Sequence, residues 1–117
     1  MRRIIQAFCN SHAGLMHAMR TETAVRQEIF LLIIAVPLAI FIGADVWKRA
    51  ALVAIVLAVI AVELLNTCLE KLCDHVTPEL HPKIKIVKDM GSAAVLFTLV
   101  AGGLVWLAAV LEKMGLA

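Results

Sequence analysis

The sequence predicts an all-α membrane protein: three transmembrane helices preceded by an amphipathic helix lying on the membrane surface. Three observations lead there. Of the 117 residues, 62% are apolar and the mean hydropathy is +0.95, which is more apolar surface than one small soluble core can bury. The apolar residues gather into three stretches, 29–44, 50–65 and 91–111. The segment ahead of the first stretch is patterned differently, with apolar residues on one side only.

In that leading segment Ile4, Ile5, Phe8, His12, Leu15, Met16 and Met19 recur three and four residues apart, the spacing of one helix face. A helix over about 1–27 is expected on the membrane surface, with a soluble-side helix packed on the others as the alternative. Arg2 and Arg3 are followed by this mixed segment and not by an apolar run, so a cleaved signal peptide is not expected. The three stretches then extend to spans of about 29–47, 50–70 and 90–111, each near the ~20 residues that cross a bilayer. Pro37 allows a break in the first without requiring one. Between the second and third, Thr77, Pro78 and Pro82 interrupt the helical pattern and predict a short connector within 75–85. No internal repeat divides the chain, so a single domain over 1–117 is expected.

Charge sets the orientation. Arg2, Arg3, Arg20, Arg26 and then Lys71, Lys83, Lys85, Lys88 lie on one side, against Lys48, Arg49 and Lys113 on the other. Basic loops stay in the cytoplasm, so the N-terminus and the 71–90 segment are expected there, where ATP is found. A net charge of +2, with no Tyr and few other aromatics, gives no support for nucleic-acid binding. Cys9, Cys68 and Cys73 are odd in number and lack C-x-x-C spacing, so they suggest neither a disulfide framework nor a zinc site. His12, His17, His75 and His81 lack the i, i+4 spacing of a helical metal pair.

The chemistry is concentrated in the segment ELLNTCLEKLCD, residues 63–74. At about 100° per residue, Glu63, Asn66, Glu70 and Asp74 fall within an arc of roughly 80° on one face. Glu63 ends an apolar run, where a carboxylate is costly unless it faces a polar cavity. Glu70 lies about 10 Å further along the axis. Such a stripe suits phosphoryl transfer to a lipid: one carboxylate at the boundary accepts a hydroxyl proton, and a second, in water, holds Mg²⁺. Equally, Glu63 and Asn66 could bond neighbouring helices while Glu70 and Asp74 are solvated. A second cluster, VKDMGSAAV from Val87, puts Lys88 where it could meet nucleotide phosphates or merely mark the cytoplasmic boundary. In a third, Glu22 and Arg26 are four apart and either form an ion pair or leave Glu22 to add a carboxylate to Mg²⁺. No G-x-x-x-x-G-K-[ST] loop and no soluble-kinase signature is present.

At ELLNTCLEKLCD followed by VKDMGSAAV, the chain resembles the prokaryotic diacylglycerol kinase family of integral membrane enzymes, which includes undecaprenol kinases. The resemblance runs from about Arg3 to the third span. It implies a homotrimer in the bacterial inner membrane, with active sites shared between chains, transferring phosphate from ATP to diacylglycerol or undecaprenol with Mg²⁺. Carried onto this sequence, it implies Glu63 as catalytic base and Glu22 and Glu70 as Mg²⁺ carboxylates. On the nucleotide side it implies Asn66, Asp74, Lys88 and Asp89, together with Arg3, Asn10, Glu79 and His81. On the lipid side it implies Ser11, Arg26, Glu28 and Ser92, with Arg3 and Arg49. Cys68, His12 and Pro82 depart from the family's usual residues, and Asn10 stands where an aromatic is common, which bears on how adenine is held. A reading from another class remains beside it: a non-catalytic helical membrane assembly protein whose polar stripe serves helix contacts.

Overall fold

The computed structural model describes residues 1–77, 79 and 81–116, which form four helices and, among the described residues, no strand. They are α1 (Arg2–Thr21), α2 (Thr23–Ile42), α3 (Val46–Val76) and α4 (Pro82–Lys113). The last three are long and apolar enough to cross a membrane, as the hydropathy predicts. Helix α3 is central, packing most extensively on α4 and next on α2, while α1 leans chiefly on α2.

The leading helix stops earlier than its periodicity suggests, at Thr21 rather than near residue 27. Glu22 adopts an extended backbone, φ −117° and ψ 114°, and α2 begins at once. The break is held by Arg26: its Nη1 donates to the carbonyls of Met19 (2.9 Å) and Arg20 (3.2 Å), and its Nη2 to Thr23 Oγ1 (3.1 Å). The last carbonyls of a helix lack intrahelical donors and carry the negative end of its dipole, so a guanidinium is a fitting cap. That is also why the Glu22–Arg26 ion pair is not formed; Glu22 instead meets Lys71 Nζ at 3.0 Å.

Pro37 lies inside α2 without ending it, since a lost backbone bond in a membrane helix can be made good by its surroundings. The turn into α3 is tight: a Cβ on Gly43 would lie 2.5 Å from Arg49 Cγ and 2.9 Å from the Ala39 carbonyl. Asp45 caps α3, accepting from the Lys48 backbone N–H at 2.9 Å. His81 caps α4, its Nδ1 accepting from the Lys83 N–H at 3.1 Å, with Pro82 at the first helical position where it lacks no bond. Helices α3 and α4 thus run well beyond the spans expected at 50–70 and 90–111, and narrow the connector to 77–81. Pro78, part of the expected connector, lies outside the described residues.

Few side chains are buried, and all are apolar: Ala39, Leu52 and Ala109 form a cluster near one end, covered by Ile42, Val53, Val105 and Trp106. Alanines at these crossings let the helices close together, and Trp106 Nε1 donates to the Leu52 carbonyl at 3.2 Å. The outward faces, among them Phe30, Phe41, Phe97 and Leu104, stay exposed, as a surface solvated by lipid or by other chains must be. The three cysteines are free thiols, with only Cys73 buried.

Candidate active site

Along α3 the polar stripe grades from half-buried Glu63 and Asn66 to exposed Glu70 and Asp74. Its members are linked to one another and to α4. Asn66 Nδ2 donates to Glu70 Oε1 at 3.3 Å, and Lys88 Nζ, from α4, meets Asp74 Oδ1 at 2.5 Å. One turn earlier on α4, Lys85 pairs with Asp89 at 2.7 Å. Nucleotide-side candidates Asn66, Glu70, Asp74 and Lys88 are therefore brought together at one end of the bundle.

Two more carboxylates come from outside α3. Glu63 lies within electrostatic range of Glu70, of Glu22 at the α1–α2 break, and of Glu28 on α2. Glu28 Oε2 is buried without a hydrogen-bond partner. Like charges gathered at a half-buried position oppose folding, which makes this cluster the candidate site.

From Glu28 an apolar groove of about 340 Å³ runs between α2, α3 and α4. Leu31, Leu38, Val59 and Leu99 are among its walls, Gly102 faces Ile55 and Val59 across it, and exposed Gly103 lies on its open side with Trp106 nearby; among the described residues Glu28 is the only charged side chain lining it. The groove thus has one charged end, at Glu28, and an apolar body about 15 Å long over residues 28–38 of α2.

Other expected residues stand apart from this cluster. Arg3 and Asn10 line a separate shallow groove on α1 with Arg2 and Gln6, and Gln6 Nε2 donates to Asn10 Oδ1 at 3.2 Å. Asn10 and Ser11 lie about 15 Å along α1 from its contact with α3 at Thr21, where Lys71 Nζ donates to Thr21 Oγ1 at 3.4 Å. Arg26 is engaged in capping α1, and His81 in capping α4. Glu79 is exposed in the connector, and Ser92 is exposed on α4. Arg49 stands at the other end of α3: it sits in the first turn, donating to the Gly43 carbonyl at 3.1 Å, about 21 Å along the axis from Glu63.

The sequence reading missed Lys71 as the partner of Glu22 and the groove itself, while Gly91, one of the small residues of the second cluster, packs against Asn66. Lys71 registered only as an orientation charge, because no spacing rule points from one helix to another.

Among the described residues no three His, Cys, Asp or Glu side chains converge as a ready-made metal cage. Mg²⁺ does not need one; it takes one or two carboxylates and completes its octahedron with water and phosphate oxygens. Glu70 and Glu22, hard oxygen donors on either side of Glu63, fit that demand.

Three membrane-length helices with carboxylates and a lysine gathered where an apolar groove meets the aqueous end define the class: a helical membrane protein whose chemistry sits at the bilayer boundary. Residues 9–110 match the prokaryotic diacylglycerol kinase family, and the chain belongs to that family. It is 38% identical over 106 residues to the diacylglycerol kinase of Pseudomonas aeruginosa, covering 91% of this chain and 86% of that protein. The diacylglycerol kinase of Escherichia coli K12 is 38% identical over 104 residues, 89% of this chain and 85% of its own. That of Helicobacter pylori strain 26695 is 34% identical over 105 residues, 90% and 82%.

Proposed function

We propose that this protein is an ATP-dependent diacylglycerol kinase, converting diacylglycerol to phosphatidic acid in the bacterial inner membrane with the N-terminus and the 71–90 segment cytoplasmic. The observation that carries the reading is the position of Glu63, half-buried between an apolar groove and an exposed acidic and lysine-bearing stripe. A lipid hydroxyl and a nucleotide can each reach it from their own phase.

In the reaction the acyl part of the lipid lies in the groove and its hydroxyl meets Glu63. The hydroxyl oxygen attacks the γ-phosphorus of ATP, its proton passes to the Glu63 carboxylate, and the bond from γ-phosphorus to the β-bridging oxygen breaks to release ADP. Lys88, shared with Asp74, offsets charge on the transferring phosphoryl group. Glu28, whose Oε2 has no partner, accepts a hydrogen bond from the lipid headgroup. Glu70 and Glu22 would hold Mg²⁺, which when bound neutralises charge on the β- and γ-phosphates.

Arg3, Asn10 and Ser11 project from a helix that leaves its own chain's site, so they serve the site of a neighbour in a homotrimer. The uncovered outer faces of α3 and α4 supply the surface for that assembly. Crosslinking Asn10→Cys to Lys85→Cys in otherwise cysteine-free protein should give covalent multimers; intramolecular crosslinks alone would place these residues within one chain.

The direct test is Mg²⁺-dependent transfer of labelled γ-phosphate from ATP into extracted diacylglycerol and undecaprenol by the purified protein. Transfer into diacylglycerol is expected; transfer into undecaprenol alone would reassign the lipid. Glu70→Gln is expected to raise the Mg²⁺ concentration for half-maximal rate by about 100-fold or more, since it removes a ligand whose outer partners alone are worth about 10- to 100-fold. An unchanged metal dependence would leave Glu70 a solvated surface group.

The groove can be tested independently. Nothing lies within 4 Å of a Cβ added at Gly103, on the open side of the groove, so a phenyl ring in Gly103→Phe can obstruct the groove without disturbing the helix crossing. The expected result is a several-fold higher KM for long-chain diacylglycerol with the KM for ATP unchanged. Equal KM values for the lipid would place the acyl chain elsewhere.

A further inference from the structure

Gly91 sits in the interior of α4, where a glycine weakens a helix relative to alanine. Its backbone does not call for one, since the only positive φ among the described residues is at Gly115. The space at Gly91 is what matters. A Cβ there would overlap Asn66 Oδ1 and come within 3.0 Å of Leu69 Cδ2.

Asn66 is the residue that holds Glu70. Its Nδ2 donates to Glu70 Oε1, and its Oδ1 is buried without a hydrogen-bond partner against α4. Turning the amide over would set its oxygen against a carboxylate oxygen, so the donor must face Glu70 and the oxygen must face α4. The amide can lie this way because position 91 has no side chain. We propose that Gly91 is a positioning residue: by leaving room for the Asn66 oxygen, it fixes the amide that orients the Glu70 carboxylate for the Mg²⁺·nucleotide. The inference rests on the kinase reading of Glu70.

Even the smallest side chain at 91 forces Asn66 to rotate about its side-chain torsions, which carries Nδ2 off Glu70. The consequence belongs to metal and nucleotide binding and not to the helix crossing, because Leu69 Cδ2 is the end of a flexible side chain that can give way.

The test compares wild-type, Gly91→Ala, Asn66→Ala and the double variant in detergent, reading Mn²⁺ affinity by electron paramagnetic resonance with a non-hydrolysable ATP analogue present. Thermal transition and oligomer size are followed in parallel. Gly91→Ala is expected to weaken Mn²⁺ binding by about 10- to 100-fold, as loss of an outer partner of a metal ligand does, with assembly intact. In the Asn66→Ala background, where there is no amide to displace, adding Gly91→Ala should change the affinity less than twofold. The same loss in both backgrounds, or wild-type affinity in Gly91→Ala, would overturn the proposal.

Should Gly91→Ala fail to assemble, two further results decide. The double variant must recover assembly, and Asn66→Leu, similar in shape but unable to donate, must weaken Mn²⁺ binding as strongly. Failure of either overturns the proposal. Failure of the kinase reading looks different, because wild-type protein itself would then bind no Mn²⁺·nucleotide and transfer no phosphate.

Discussion

Turnover of the Glu63→Gln protein is expected to fall by about 10²–10⁴-fold, the range for removing a general base. Glutamine keeps the shape and the hydrogen bonding of the side chain but cannot accept the proton. It also relieves repulsion from Glu22, Glu28 and Glu70, all within electrostatic range, so the variant should fold at least as well as wild-type. Single-turnover transfer from labelled ATP isolates the chemical step, and nucleotide affinity, measured separately, should hardly change. Substantial residual turnover in a folded Glu63→Gln protein would remove Glu63 as the base and leave the stripe as a binding surface.

Lys88→Met is expected to produce the second-largest loss, about 10²–10³-fold in kcat/KM, as when one preorganised charge partner of a transition state is removed. Lys88 is bonded to Asp74 at 2.5 Å, but an exposed ion pair contributes little to stability. A purely structural lysine would therefore show a small change in thermal transition and near-normal kinetics. Lys113→Met, at the other end of the bundle over the Phe41 ring, serves as the control and should keep wild-type kinetics. Equal kinetics for the two variants would exclude Lys88 from the phosphate site.

The sequence was most legible where one helix holds the whole pattern. Lipid rewards unbroken apolar runs, so the three membrane-length helices stand out in hydropathy. The stripe of Glu63, Asn66, Glu70 and Asp74 follows from helical pitch alone. Helix ends were less legible, because they are set by single residues. Asp45 and His81 cap with side chains, and Glu22 turns the backbone in mid-pattern while Arg26 holds the turn. What spans two helices was hidden. The Glu22–Lys71 pair, the seating of Asn66 on Gly91, and the groove from Glu28 to Trp106 all depend on how α2, α3 and α4 cross. The distance between Arg49 and Glu63, set by the length of α3, was likewise invisible to a reading that placed both on the lipid side.

At 31 residues, α3 is about 46 Å long, against a hydrocarbon layer of about 30 Å. Glu63 is about 26 Å from the helix start, so the stripe from Glu63 to Asp74 occupies the part of the helix that exceeds or nears the length of one hydrocarbon layer. The helix thereby acts as a depth gauge. A thicker bilayer would cover more of the stripe and a thinner one would expose more of the groove between α2, α3 and α4. The spacing between Asp45 and Glu63 is therefore the length that a bilayer of a given thickness must match.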